Sequence, residues 1–150
     1  MIMMESARST ARAAWGWALI AAVCTMLLVS AAWLFTFVGT PSLFEADTGV
    51  SASEFAAAYP SVARELTGRG RTIALLVGAL ALLALTAAAV GWRTGAAATR
   101  PTLWAFAAAL TTIGTVSAVG GRPDVGSFHI GLGALTAVGL LLAGRGTRPR

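Results

Sequence analysis

Four stretches without a charged residue alternate with polar connections along this chain. They cover residues 13–38, 72–92, 102–119 and 125–143. A helix needs about 20 apolar residues to cross ~30 Å of hydrocarbon. The first two stretches meet that length with some tilt, and the last two lie near its lower limit. Each predicts a helix, because a backbone surrounded by lipid must satisfy its own N–H and C=O groups. Between the third and fourth stands only Gly120-Gly121-Arg122-Pro123-Asp124, a turn by its Gly and Pro content. That pair is expected to form an antiparallel hairpin. Pro101 suits the first turn of the third helix, where a missing N–H costs nothing, and Thr99 is its expected N-cap. The pattern predicts an all-α membrane protein: four transmembrane helices in an antiparallel bundle, forming one domain over residues 1–150.

Residues 40–71 are the one long polar insert. Ser51-Ala52-Ser53-Glu54 fits a capping box, with Ser51 as N-cap and Glu54 reaching back to it. Phe55, Tyr59, Val62 and Leu66 then recur at helical spacing, opposite Glu54, Ser61, Arg64 and Glu65. This predicts a short amphipathic helix on the outer side, between the first and second spans. Pro60 removes the bond to the carbonyl of Ala56. The helix should therefore end near Tyr59, with a second piece starting at Pro60 and running into the second span. About thirty residues cannot bury a core of their own, so the insert is a cap rather than a domain.

Composition strengthens the membrane reading. Hydrophobic residues make up 57% of the 150 and charged residues 11%, against about 25% charged in a soluble domain. Every cationic side chain is Arg, and Lys, Asn and Gln are absent; with so much Ala and Gly this looks like a GC-rich coding bias. The net charge of +5 does not point to nucleic acid. The arginines sit at the ends of apolar runs, not in a patch interleaved with aromatics. Four spans put both termini and the 93–100 connection on one side, with seven arginines: Arg8, Arg12, Arg93, Arg100, Arg145, Arg148 and Arg150. The other side holds Arg64, Arg69, Arg71 and Arg122 beside five acids. By the positive-inside rule both termini are cytoplasmic in a multi-pass cell-membrane protein. Trp15, Trp17, Trp92 and Trp104 then fall at the inner interface and Trp33 at the outer, as aromatic belts do. A cleaved signal peptide ending near Ser30-Ala31-Ala32 is the rival reading of the first run. A signal's apolar core is about 7–15 residues, whereas this run continues to Val38, which favours a retained helix.

Small residues four apart, as in Ala74/Gly78, Gly114/Ala118, Gly133/Ala137 and Gly139/Ala143, let helix backbones approach closely in lipid. Thr111 and Thr115 share a face of the third span and are placed to bond across helices.

Leu43-Phe44-Glu45-Ala46-Asp47-Thr48-Gly49-Val50, followed by Phe55 and Tyr59-Pro60, resembles a group of uncharacterised small four-helix integral membrane proteins of actinobacterial type. In that group a Thr-Gly turn, an aromatic and a Pro follow the first span. The resemblance covers residues 43–92 and implies the four-helix fold without an activity. A looser likeness to DoxX-like four-helix membrane proteins rests on span count and length.

The chemistry on offer is sparse. Cys24 is the single cysteine, which excludes a disulfide framework, thiol–disulfide chemistry within the chain and a Cys-rich zinc site. No acid or base other than His129 stands inside a predicted span, which argues against proton-coupled transport and voltage sensing. His129, near the outer end of the fourth span, is the only histidine. With Asp124, Glu45, Asp47 or Glu54 it could form an acid/base or metal site. A histidine bonded to backbone or water at the interface is the plainer expectation. Glu45 and Asp47 fit a solvated turn. Tyr59 fits an interfacial anchor, with a ligand-lining role as its sharper alternative. Arg69 and Arg71 are expected to snorkel to outer phosphates. Gly131 and Gly133 lie in an apolar run and do not form a phosphate loop. No catalytic residue, cofactor or metal is expected. The partners implied are the lipid bilayer and either another membrane protein or further copies of the chain. The role that fits best is a non-enzymatic structural or accessory subunit. A small redox or lipid-linked membrane enzyme using His129, and a homo-oligomeric channel or carrier, are the alternatives.

Overall fold

A computed structural model describes residues 2–37, 45, 49–95 and 98–144, with the side chains of 2–9 left aside. Among the described residues there are five helices and no strand: α1 (Ile2–Phe37), α2 (Ala52–Ala58), α3 (Pro60–Thr94), α4 (Thr99–Val119) and α5 (Pro123–Gly144). Four of them, all but α2, are long and apolar enough to cross a membrane. At 1.5 Å per residue, α4 and α5 measure about 32 and 33 Å, close to the hydrocarbon thickness, while α1 and α3 exceed 50 Å. The excess is polar sequence. Helix α1 continues N-terminally through the segment before Ala13, and α3 carries the whole of 60–71 as a helical extension of the second apolar run. Ser30–Ala32, the alternative cleavage site, lies inside α1.

The ends of the helices follow from local chemistry. Ser51 caps α2 in extended backbone (φ −60°, ψ 122°), its hydroxyl accepting from the Glu54 N–H. At the same helix start Glu45 Oε1 accepts from the Ala52 N–H at 3.2 Å. Pro60 divides α2 from α3 as its missing N–H requires. The Tyr59 N–H closes α2 on the Phe55 carbonyl at 2.8 Å, while the Tyr59 carbonyl accepts from Ala63 at 3.0 Å to open α3. Thr99 is not the N-cap of α4: the helix begins at Thr99, after Ala98 in helical backbone with no side-chain cap bond. Pro101 still falls in the first turn, where N–H groups have no intrahelical partner.

The α4–α5 turn is shorter than its sequence indicates. Arg122 N–H bonds the Ser117 carbonyl at 2.9 Å and Gly121 N–H the Ala118 carbonyl at 3.3 Å, a Schellman closure. Gly121 takes φ +90°, a left-handed conformation that costs a Cβ-bearing residue but not glycine. Pro123 and Asp124 are thereby freed from the turn and form the first turn of α5.

Packing falls into two compact units, Met1–Thr25 with Leu82–Arg150, and Met26–Ala81. In the first, glycine sets the spacing. A Cβ on Gly114 would lie 2.6 Å from the Gly126 carbonyl oxygen and 2.7 Å from Ile130 Cγ1, and one on Gly133 2.5 Å from Thr111 Oγ1. Helices α4 and α5 therefore meet backbone to backbone. Gly16 of α1 meets α5 in the same way, 2.5 Å from the Gly139 carbonyl oxygen by the same measure. Ile20, Cys24, Leu103, Leu110 and Thr136 are fully buried around these contacts. Trp17, expected in the inner aromatic belt, is buried, its ring edge lying over Gly91. Trp15 and Trp92 remain exposed. In the second unit Ala31 of α1 sits against Gly78 of α3, and the Arg71 guanidinium lies 5.9 Å from the Phe35 ring centre.

Threonine hydroxyls turn back to their own helices. Thr111 bonds the Ala107 carbonyl at 3.0 Å and Thr115 the Thr111 carbonyl at 2.9 Å, so the pair does not bond across helices as expected. Gly114→Ala is predicted to destabilise the α4–α5 pair by about 1–3 kcal/mol through overpacking. Gly131→Ala, with nothing within 4 Å of its new methyl, should be neutral or stabilising by up to about 1 kcal/mol. Thermal unfolding in detergent, followed by far-UV circular dichroism, checks both; equal melting of the two variants would contradict the backbone contact.

Candidate functional site

The sequence-derived candidates separate between the two units. Glu45, Glu54 and Tyr59 lie in Met26–Ala81, and Asp124 and His129 in the other; Asp47 lies outside the described residues. Around α2, Glu45 and Ser51 are taken up by helix capping, and the Ser51 and Ser53 hydroxyls bond each other at 2.9 Å. Glu45 and Glu54 are exposed. Tyr59 is 58% exposed, its ring centre 5.5 Å from that of Phe55. On α3, Arg69 is bound to Glu65 one turn earlier. Both partners are largely exposed, so the pair contributes only a few tenths of a kcal/mol.

His129 makes the backbone contact that an interfacial histidine makes. Its Nδ1 is 2.8 Å from the Val125 carbonyl oxygen, and Phe128 meets it edge-on with ring centres 5.4 Å apart. A carbonyl only accepts, so in the neutral ring Nδ1 holds the proton and Nε2 is the acceptor. Asp124 is exposed and faces Arg122, Oδ1 to Nε at 3.4 Å. Five residues apart on one helix, Asp124 and His129 point about 140° apart and do not share a site. Among the described residues, no three His, Cys, Asp or Glu side chains are grouped to hold a metal ion. Gly131 and Gly133 lie mid-helix in α5, with Gly133 taken up by contact with α4.

A concave feature of the unit formed by Met1–Thr25 and Leu82–Arg150 involves neither His129 nor the acids. A groove of about 340 Å³ runs along α4 and α5, floored by Ala107, Ala108, Gly133, Ala134 and Ala137 and bounded by Trp104 and Ile130, with Thr111 at its side. The Thr111 hydroxyl is engaged with its own helix, so the groove offers almost no hydrogen-bonding group. It can hold a hydrocarbon but cannot orient a polar substrate. Its sequence signal was present as small residues at spacings of three and four on two neighbouring runs, but Ala and Gly are too frequent here for that spacing to stand out.

Comparisons of the chain with protein-family models, curated proteins and solved structures give no match. The functional reading therefore rests on the side chains themselves.

Replacing Ser51 by Ala should loosen α2 locally by about 1 kcal/mol. Hydrogen exchange at the Glu54 and Phe55 amides should quicken roughly fivefold, with the melting of the whole protein unchanged. Unaltered exchange would show that the Ser51 cap does not hold α2.

Proposed function

We propose that this is a four-span integral protein of the cell membrane with both termini in the cytoplasm, acting as a non-enzymatic structural or accessory subunit. The observation that carries the reading is the outer surface of the four long helices. Val29, Leu75, Leu76, Leu83, Val116 and Leu141 are all exposed. Large apolar side chains left open along helices of this length belong against lipid or another protein. The orientation is supported by seven arginines against four on the two sides of the proposed bundle. The subunit role is supported by the capped and solvated condition of the acids on α2 and by the backbone bond of His129.

The outer segment supplies the contact surface. Tyr59, at the end of α2, and Val62 and Leu66, on the part of α3 that precedes the second apolar run, are each between 44% and 58% exposed. An amphipathic stripe there, facing the headgroup layer or the outer part of a partner, would bury what water now touches. The partner is either a membrane protein or a second copy of the chain.

Mild-detergent extraction with affinity capture and mass spectrometry tests the role. A stoichiometric membrane partner, or a defined oligomer, is expected; a monomer with a turnover of its own would overturn it. Topology is tested separately in a Cys24→Ala background. Single cysteines at Ser53 and Thr147 should label from opposite faces of sealed vesicles, and labelling from one face would overturn the threading.

A further inference from the structure

A cation stands one helical turn beyond the Trp104 edge of the groove on α4 and α5. Arg100 lies one turn before Trp104 on α4, on the stripe that continues through Ala107, Ala108 and Thr111. Its guanidinium rests over the end of α5, with Nη2 3.3 Å from the position of a Cβ on Gly144. A cation is favoured there by the C-terminal end of the helix dipole, and a guanidinium has five donors, enough to serve a helix end and an anion together. From Arg100 to Thr111 is about 16 Å along the helix, close to half of the ~30 Å hydrocarbon layer. Past that depth the groove closes, because Ile130 packs onto Gly114 and the two backbones meet at Gly114 and Gly126.

From this geometry we infer that the groove is a site for one anionic phospholipid, its phosphate at Arg100 and one acyl chain lying over Ala107, Ala108, Gly133 and Ala134. The inference deepens the membrane reading above and rests on it. Three features select this occupant. The floor is apolar and offers no orienting polar group, as a hydrocarbon chain requires. The depth is that of one leaflet, whereas a partner helix would need a groove across the whole bilayer. The cation stands at the interfacial end, and under the proposed threading that end faces the cytoplasmic leaflet, where anionic lipids bind basic pockets between helices. Trp104, 44% exposed at the mouth, is of the residue type that sits at headgroup level.

Native mass spectrometry of the full chain in detergent tests the site, with phosphatidylglycerol and phosphatidylcholine of matched chains as probes. The wild type should hold phosphatidylglycerol about fivefold more tightly, the increment of one basic residue near a headgroup. Arg100→Gln should remove the preference while keeping the weaker binding of both lipids. Ala134→Leu fills the floor from an exposed position and should weaken both. Arg64→Gln, in the other unit, should leave both unchanged. Circular dichroism verifies that each variant is folded; if Arg100→Gln fails to fold, Ala134→Leu decides. Equal binding of the two lipids by the wild type, wild-type binding by folded Ala134→Leu, or a dimer lost in Ala134→Leu with lipid binding intact would overturn the inference. A chain that stays monodisperse in buffer without amphiphile overturns the membrane reading itself. A chain that needs detergent but fails the lipid comparisons overturns this site alone.

Discussion

Direct approach of helix backbones at glycine is the contact on which the unit built from Met1–Thr25 and Leu82–Arg150 depends. At Gly114 with Gly126, and at Gly16 with Gly139, no side chain separates the two main chains. In hydrocarbon the aliphatic side chains gain little by leaving solvent for one another, so cohesion comes from dispersion over closely matched surfaces. A shape that brings backbones together supplies more of it than Leu against Leu can. The larger side chains are then turned outward, which is why Leu75, Leu83 and Val116 are exposed while Ala81, Ala84 and Ala88 are buried. In a water-soluble protein this arrangement would be inverted.

The same constraint governs the polar groups. Thr25, Thr86, Thr115 and Thr136 each return their hydroxyl to a carbonyl four residues back, and among the described residues no buried side-chain polar atom lacks a partner. His129 follows the same rule at Val125. A donor that bonds within its own helix is satisfied wherever the helix goes, without asking anything of a neighbour. Polar side chains here make the helices acceptable to an apolar medium and leave specificity to shape. This bears on function, since the threonine hydroxyls spent on their own helices are not left to grip a polar substrate.

Function then falls to what the scaffold leaves uncovered. On one unit that is the capped α2 and the helical extension of α3, with Tyr59, Val62 and Leu66 open. On the other it is the shallow groove beside Trp104 and Ile130. Both surfaces expose apolar side chains and have an arginine nearby, Arg64 on α3 and Arg100 on α4.

The uncharged runs, the Pro60 break and the Ser51 cap were legible from residue types alone, because each is a local effect: the length a helix needs, a missing N–H, a hydroxyl in reach of an orphan amide. So was the backbone bond of the single histidine. What the residue order did not reveal depended on which helix lies beside which. Trp17 has the composition of a belt residue, yet it lies over Gly91, since only the folded chain brings a glycine under it. Thr111 and Thr115 share a face of their helix, yet each bonds a carbonyl four residues back. Small residues recur all along the chain, so their spacing marked Gly114 and Ala118 but not Gly126, the glycine they meet. Hydrophobic pattern and local hydrogen bonding thus set how many helices form and where they stop. Their pairing, and the groove that pairing opens, were decided by the fit of three-dimensional surfaces, which no one-dimensional spacing encodes in a chain so rich in Ala and Gly.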